Sequence, residues 1–349
     1  MKSILKHSQN SKKILPMKQY IITERDVGLA SLFFQVINAL NRCEKEELGT
    51  PIVYFKNQCV YYNPEGHQNK DNVWEYYFRP VVETADTSCI SEQNKLEIEN
   101  AYLNTEPKKL NNSRFVKLSN RNKMCCHYGD RKLGHTMIVP PHLIPEVYED
   151  GHREKANAII NKYFKLRMYL NNKINDFFAE NLANANKVLG VHIRGTDALV
   201  NNAERWRKSF DIQNYINCIR IFINKYGDEG KVFVASDDAK LFNIVKNEFN
   251  DAIVEYDTFR QEENDVGKSG DNTKGNAMMP TYLCNDGAKA AQNGEDAIAE
   301  MYLLSKCDYL LHNASGFAHV ALLLNSKMKH VDSQRPGGKE TLNKFEEIV

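Results

Sequence analysis

The sequence predicts an α/β protein of two units, each built on an open sheet of parallel strands. Three observations predict it. Short apolar runs at 187–193, 231–235 and 309–312 alternate with stretches of helical periodicity, the pattern of a doubly wound sheet. Each run ends in a polar, turn-forming cluster: Arg194-Gly195-Thr196-Asp197, Ser236-Asp237-Asp238 and Asn313-Ala314-Ser315-Gly316. A chain of 349 residues is long enough for two domains.

The elements follow in order. Residues 1–18 are polar and lysine-rich and are expected to form a flexible tail. Tyr20 to Thr23 predicts a strand, and Glu24 to Gly28 the turn after it. Leu29 to Glu47 carries Leu32, Phe33, Val36, Ile37 and Leu40 at helical spacing, and Gly49-Thr50-Pro51 stops that helix. Ile52 to Phe55 resumes as a strand, which completes a βαβ unit with Glu24, Asp26 and Gly28 at the first strand's carboxyl end. Val73 to Phe78 is aromatic-rich before Pro80 and reads as a core strand, with a sugar-docking surface as the alternative. Residues 104–122 are polar and loop-rich. Glu146 to Ala185 reads as one long bridging helix.

The second unit then alternates cleanly. Strand 187–193 precedes a helix from Ile212 to Tyr226; strand 231–235 precedes a helix from Lys240 to Phe249. Ala252 to Tyr256 is a strand, Gly267 to Asn276 a polar loop, and Glu295 to Cys307 a helix. Tyr309 to His312 is a strand, and Phe317 to Leu324 a helix. The expected organisation is a tail at 1–18, a first Rossmann-like domain with its bridging helix at 19–185, a second Rossmann-like domain at 186–335, and a C-terminal tail at 336–349.

Composition excludes several functions. The 46 basic and 45 acidic residues nearly cancel, so no global field calls for nucleic acid or an anionic membrane. No segment approaches the ~18 consecutive apolar residues of a membrane helix. The eight cysteines are scattered, without Cys-x-x-Cys spacing, which suits free thiols in a reducing, cytoplasmic setting. Cys125-Cys126-His127 lacks the further ligands a zinc site needs, so no metal is expected.

Parallel strands share their carboxyl edge, where open α/β sheets bind ligands. That edge collects His192, Arg194 and Asp197 from the first strand of the second unit, Ser236, Asp237 and Asp238 from the next, and Asn313, Ser315 and Gly316 from a third. The planar fork of Arg194 suits a phosphate. The small-residue turn at Ser315-Gly316 opens the helix from Phe317 and offers backbone N–H groups to a diphosphate. The Gly-x-Gly-x-x-Gly fingerprint of dinucleotide enzymes is absent, which argues against a dehydrogenase. Glu204, in the loop after Arg194, is the candidate general base, with Glu24 and Asp26 as competitors.

These stretches resemble a known family. Gly190 to Asp197, Val232 to Asp238, and Ala299 to Ser305 with Asp308 to Leu311 and Ala314 to Phe317 are similar, in order and spacing, to three motifs of the fucosyltransferase superfamily that includes core α1,6-, nodulation-factor and protein O-fucosyltransferases. The resemblance implies a GT-B fold, two Rossmann-like domains facing across a cleft, with the domain at 19–185 and its Glu24, Asp26 and Gly28 on the acceptor side and the domain at 186–335 binding the nucleotide sugar. It implies an inverting, metal-independent enzyme that moves fucose from GDP-fucose to a glycan hydroxyl, with no cofactor. By motif position Arg194 is expected to hold the β-phosphate and His192 to contact the nucleotide sugar. Asp237 or Asp238 is expected to bind the guanosine, Ser315 and Gly316 to approach the diphosphate, and Glu300, Ala314 and Phe317 to complete the donor site. Glu204 sits close to the catalytic acid of the α1,6 branch. That branch usually carries two consecutive arginines, and Gly195 stands in place of the second. The alternatives are a non-catalytic glycan- or nucleotide-binding relative and a transferase using another nucleotide sugar.

Overall fold

The computed structural model describes residues 19–24, 28–56, 59–82, 116–117, 123–126, 138–139, 152–195, 211–261, 286–334 and 338–349. Two sheets organise them. In the first, β1 (Gln19–Thr23) lies between β2 (Thr50–Tyr54) and β4 (Lys123–Cys126), parallel to both, and β3 (Val116–Lys117) runs antiparallel to β4 at the edge. Helix α1 (Leu29–Lys45) crosses from β1 to β2 and buries Leu32, Phe33, Val36, Ile37 and Leu40, the residues its periodicity marked. Gly49 has φ of 122°, a left-handed turn that returns the chain to β2.

The second sheet is wholly parallel, in the order β7-β6-β5-β8-β9. Its strands are β5 (Lys187–Ile193), β6 (Gly230–Ser236), β7 (Ile253–Val254), β8 (Tyr309–His312) and β9 (Lys329–Asp332). From β5 the chain winds outward through β6 to β7, then returns to β5's other side for β8 and β9. The order therefore reverses between β5 and β8, and the crevice beyond their carboxyl ends is where such a sheet holds a ligand. Central strands covered on both faces should be apolar throughout. Leu189, Val191, Val232, Phe233, Val234, Leu310 and Leu311 are all fully buried.

Several expectations are corrected. The aromatic stretch is neither a strand nor a surface: α2 (Val73–Tyr77) is a short buried helix. Asn72 starts it, with Oδ1 accepting from Trp74 N at 3.3 Å and Phe55 N at 2.9 Å, and Nδ2 donating to Val53 O at 2.9 Å. The indole of Trp74 stacks on Phe78 at 4.4 Å and meets Phe164 edge-on at 5.0 Å. The bridging helix is two helices, α3 (His152–Tyr163) and α4 (Met168–Asn181). They part because the intervening backbone pairs elsewhere: Arg79 N donates to Lys165 O at 2.7 Å and Arg167 N to Tyr77 O at 2.9 Å.

Of the remaining helices, α5 (Ile212–Tyr226), α6 (Ala239–Phe249) and α8 (Gly316–Leu324) match their predicted spans within a residue. Helix α7 (Gly287–Ser305) begins eight residues early, capped by Asp286, whose Oδ1 accepts from Lys289 N at 3.0 Å. The expected C-terminal tail contains a helix, α9 (Gly338–Ile348), whose Phe345 is fully buried beside Tyr215, Ile219 and Phe222. Cys43, Cys59, Cys218 and Cys307 are buried free thiols. No helix among the described residues is long and apolar enough to cross a membrane.

The two sheets are tied through helices. Helix α8, apolar on all sides, packs against α1 and α3, with Phe34 and His319 5.0 Å apart. Its C-terminal carbonyls are received by α3: Asn157 Nδ2 donates to Leu323 O and Leu324 O at 2.9 and 2.8 Å, and Arg153 Nη2 to Asn325 O at 2.8 Å. Helix α7 docks on α2 and on the segment before it. Tyr77 OH donates to Ala291 O at 2.8 Å, and His67 Nε2 lies 3.0 Å from Glu295 Oε2.

Candidate functional site

Arg194 follows β5 directly, at the reversal point. Its backbone is bracketed by a neighbour: Arg194 N donates to Asn313 Oδ1 at 2.8 Å, and Asn313 Nδ2 donates to Arg194 O at 2.9 Å. Its guanidinium is ion-paired through Nη1 with Asp237 Oδ2, and the other oxygen of Asp237 accepts from Gly195 N at 2.8 Å. Both side chains keep more than a quarter of their surface exposed, so a positively charged fork stands at the sheet edge within reach of solvent. The charge of Arg194 also reaches Tyr61, in the segment after β2. Burial pushes the Tyr61 hydroxyl, which accepts from the first amide of α1, up to about 12, and the charge of Arg194 works against that rise.

Beside Arg194 is the start of α8. Ser315 is its N-cap, with Oγ accepting from Ala318 N at 3.1 Å. The next amides, of Gly316 and Phe317, belong to the first turn, where a helix offers N–H groups without intrahelical acceptors. The close approach of α8 to α1 restricts this turn, since a Cβ on Gly316 would stand 2.9 Å from that of Ala30. His192 lies beneath it. Its ring stacks on Phe317 at 4.8 Å, and Nδ1 is 3.2 Å from Ser315 Oγ. Burial above all holds this imidazole down at about 3, with the neighbouring Arg194 charge adding to the effect, so it is neutral at neutral pH.

The structure thus brings His192, Arg194, Asp237, Ser315, Gly316 and Phe317 together. Others serve the framework. Ser236 Oγ donates to Ile193 O at 3.0 Å and accepts from Asp238 N at 3.1 Å, which joins the ends of β5 and β6. Asp238 caps α6, Oδ1 accepting from Leu241 N at 2.9 Å. Ala314 is buried, its N–H directed to Gln334 Oε1 at 3.3 Å. Glu24 is 2% exposed and accepts from Lys56 N at 2.9 Å, which joins the ends of β1 and β2. Gly28 precedes α1 in an extended conformation, with open space where a Cβ would stand. Asp26, Asp197 and Glu204 lie outside the described residues.

Glu300, on α7, is buried, and desolvation raises its carboxyl to about 8. Its Oε1 is 3.9 Å from Nη2 of Arg260, a residue the sequence reading missed. The Arg260 guanidinium lies 4.0 Å over the ring of Phe242 and donates to Tyr256 O at 3.2 Å. Neither Glu300 Oε1 nor Arg260 Nε has a hydrogen-bond partner among the described residues. The shared-edge rule that found Arg194 also points to Arg260, which follows β7. Asn313 falls on that edge as well, but its bonds to Arg194 are visible only in three dimensions. Among the described residues no group of three His, Cys, Asp or Glu side chains is placed to hold a metal ion.

Solved structures share this arrangement. A NodZ α-1,6-fucosyltransferase soaked with GDP-fucose superposes with a TM-score of 0.53 at 16% identity, over 88% of this chain and 92% of that one. The fold is that of the GT-B fucosyltransferases. The fucosyltransferase NodZ from Bradyrhizobium is similar at 15% identity and a TM-score of 0.53, covering 92% of this chain and 97% of its own. NodZ co-crystallised with GDP gives 0.51 at 15%, over 90% and 94%. No protein-family model matches the chain, and no curated protein sequence matches it. The likeness extends across both sheets, well beyond the three motifs of the second.

Proposed function

We propose that the protein is an inverting glycosyltransferase that moves fucose from GDP-fucose to a glycan hydroxyl. The observation that supports this reading most is the convergence of the Arg194 fork and the α8 N-terminus at the reversal point of a parallel sheet. In this reading residues 19–185 face the acceptor and residues 186–335 hold the donor. Arg194 and the amides of Gly316 and Phe317 meet the diphosphate. Neutral His192, held by Ser315 and Phe317, lines the donor site without competing for a proton. Glu300 and Arg260 offer an acceptor and a donor to the edge of the base.

The reaction then follows from charge. The acceptor oxygen attacks the anomeric carbon as the bond to the β-phosphate oxygen breaks, and the electron pair leaves with GDP. The acceptor proton passes to a carboxylate. Glu204 is the proposed base, with Asp26 and Glu24 as alternatives; the existing bond of Glu24 to Lys56 N weighs against it. Because Arg194 and the helix terminus meet the leaving charge, no divalent ion is assigned a role, and turnover in EDTA is expected to be full.

The test is release of GDP from GDP-fucose in the presence of a glycan panel. Arg194→Ala is expected to lower turnover by about 10²–10³-fold, as loss of an oxyanion donor does; turnover near wild type in that variant would remove the basis of the assignment. A panel of GDP and UDP sugars, read by thermal shift, separates fucose from another donor sugar. The single arginine before Gly195 favours a second reading, a binding module without catalysis. GDP binding by calorimetry with no turnover of any donor would select it.

A further inference from the structure

We infer that Asn313 is the positioning residue that sets Arg194 and the α8 N-terminus at one spacing, so that both meet a single diphosphate. The inference rests on the reading of those two elements as the diphosphate site. Strands β5 and β8 pair in parallel up to His192 and His312. One residue further on, the two chains must part. Arg194 heads for the sheet edge, while the chain after β8 turns through Ala314 and Ser315 into α8. At that point the side chain of Asn313 takes over from the backbone. Its Oδ1 accepts from Arg194 N at 2.8 Å and its Nδ2 donates to Arg194 O at 2.9 Å. The pair of bonds reproduces with one amide what a further strand residue would provide.

The consequence is geometric. Rotation of either peptide unit flanking the Arg194 Cα would swing its side chain; the bond to the Arg194 N–H holds the unit before it and the bond to the Arg194 C=O the unit after it. The anchor lies two residues before Ser315, the cap of α8, so the Arg194 backbone is tied at a fixed distance from the origin of a helix that Ser315 itself caps. Asn313 is itself held: it is 1% exposed, and Ala314 N and Ser333 N bond to Gln334 Oε1 at 3.3 Å and His312 O at 2.6 Å on either side of it. An amide is the side chain that suits this place. Aspartate has no donor for Arg194 O, serine is too short to span both groups, and leucine has the volume without the bonds.

A positioning residue acts through its partner, and a double-mutant cycle isolates that dependence. Calorimetry with GDP as the probe would compare wild type, Arg194→Ala, Asn313→Leu and the double variant. Asn313→Leu is expected to weaken GDP about tenfold when Arg194 is present and less than about twofold when it is absent, since the loss passes through the arginine. Asn313→Ser, which keeps a polar group at the site, carries the same cycle should the leucine variant fail to fold. Equal weakening in both backgrounds, or none in either, overturns the inference. If Arg194→Ala itself leaves GDP affinity unchanged, it is the diphosphate reading that fails.

Discussion

A Cβ on Gly195 would stand 2.6 Å from Oδ2 of Asp238 and 2.8 Å from its Cγ. Asp238 has little freedom to retreat, because its Oδ1 caps α6 at Leu241 N and its own N–H is bonded to Ser236 Oγ at 3.1 Å. The absence of a second arginine after Arg194 is thus built into the packing of the β5 and β6 ends. Gly195→Ala is expected to destabilise the fold by about 1–3 kcal/mol, the usual cost of overpacking. In an Asp238→Gly background the same change is expected to cost far less, because the two residues occupy one space. Urea unfolding of the four proteins checks this; equal costs in both backgrounds would show that the contact is not the cause.

Stability should peak near pH 6.5. Burial raises the Glu300 carboxyl to about 8 from an ordinary 4.5, so between those values the folded protein keeps a proton that the unfolded chain releases, and stability falls as pH rises. The buried imidazoles act in the opposite sense. His192 and His319 are held at about 3 and His330 at about 2, against an ordinary 6.5, so below 6.5 the unfolded chain binds protons that the folded one refuses. One proton corresponds to about 1.4 kcal/mol per pH unit. Below pH 6.5 the three histidines oppose Glu300 and the less strongly raised carboxyls of Asp238 and Asp296, and above it Glu300 acts without the histidines. Thermal unfolding from pH 5 to 8.5 should therefore give a maximum, and Glu300→Gln should flatten its alkaline side. A Tm that rises steadily to pH 8.5 in wild type would contradict the assignment of Glu300.

Where the chain repeats a strong physical pattern, the sequence is readable. The β5 to β8 unit alternates apolar strands with amphipathic helices, so both the sheet and its ligand edge follow from periodicity. β4 carries Lys123, Met124, Cys125 and Cys126, a short run with no β-branched or aromatic residue to mark a strand, and its place beside β1 depends on long-range pairing. The short α2 is ordered by Asn72, which reaches back to β2, a contact no local window contains. The same division holds at the site. Arg194, His192 and Ser315 follow from strand ends and a cap. The framework roles of Ser236 and Asp238, and the pairing of Arg260 with Glu300, depend on which side chains the fold turns inward.

The helix at the end of the chain supplies part of the second core. Phe345 is fully buried, and the hydroxyls of Tyr226 and Tyr309 reach Val349 O at 2.8 and 3.4 Å. Phe345→Ala removes a ring from beside α5 and is expected to cost about 3–5 kcal/mol. A midpoint in urea within a few tenths molar of wild type would return this segment to the status of a tail.

Ser315 performs two tasks that substitution can separate. Its Oγ accepts from Ala318 N at 3.1 Å and shares a hydrogen bond with His192 Nδ1 at 3.2 Å. The first bond starts α8; the second orients the imidazole under Phe317. Ser315→Ala loses both and is expected to cost about 0.5–2 kcal/mol of stability, with weaker GDP binding. Glycine at an N-cap costs only about a few tenths of a kcal/mol relative to serine. Ser315→Gly is therefore expected to unfold close to wild type yet bind GDP as poorly as the alanine variant, because His192 loses its partner in both. If the glycine variant binds GDP as wild type does, the cap alone accounts for Ser315, and His192 needs no hydrogen bond to keep its place against Phe317.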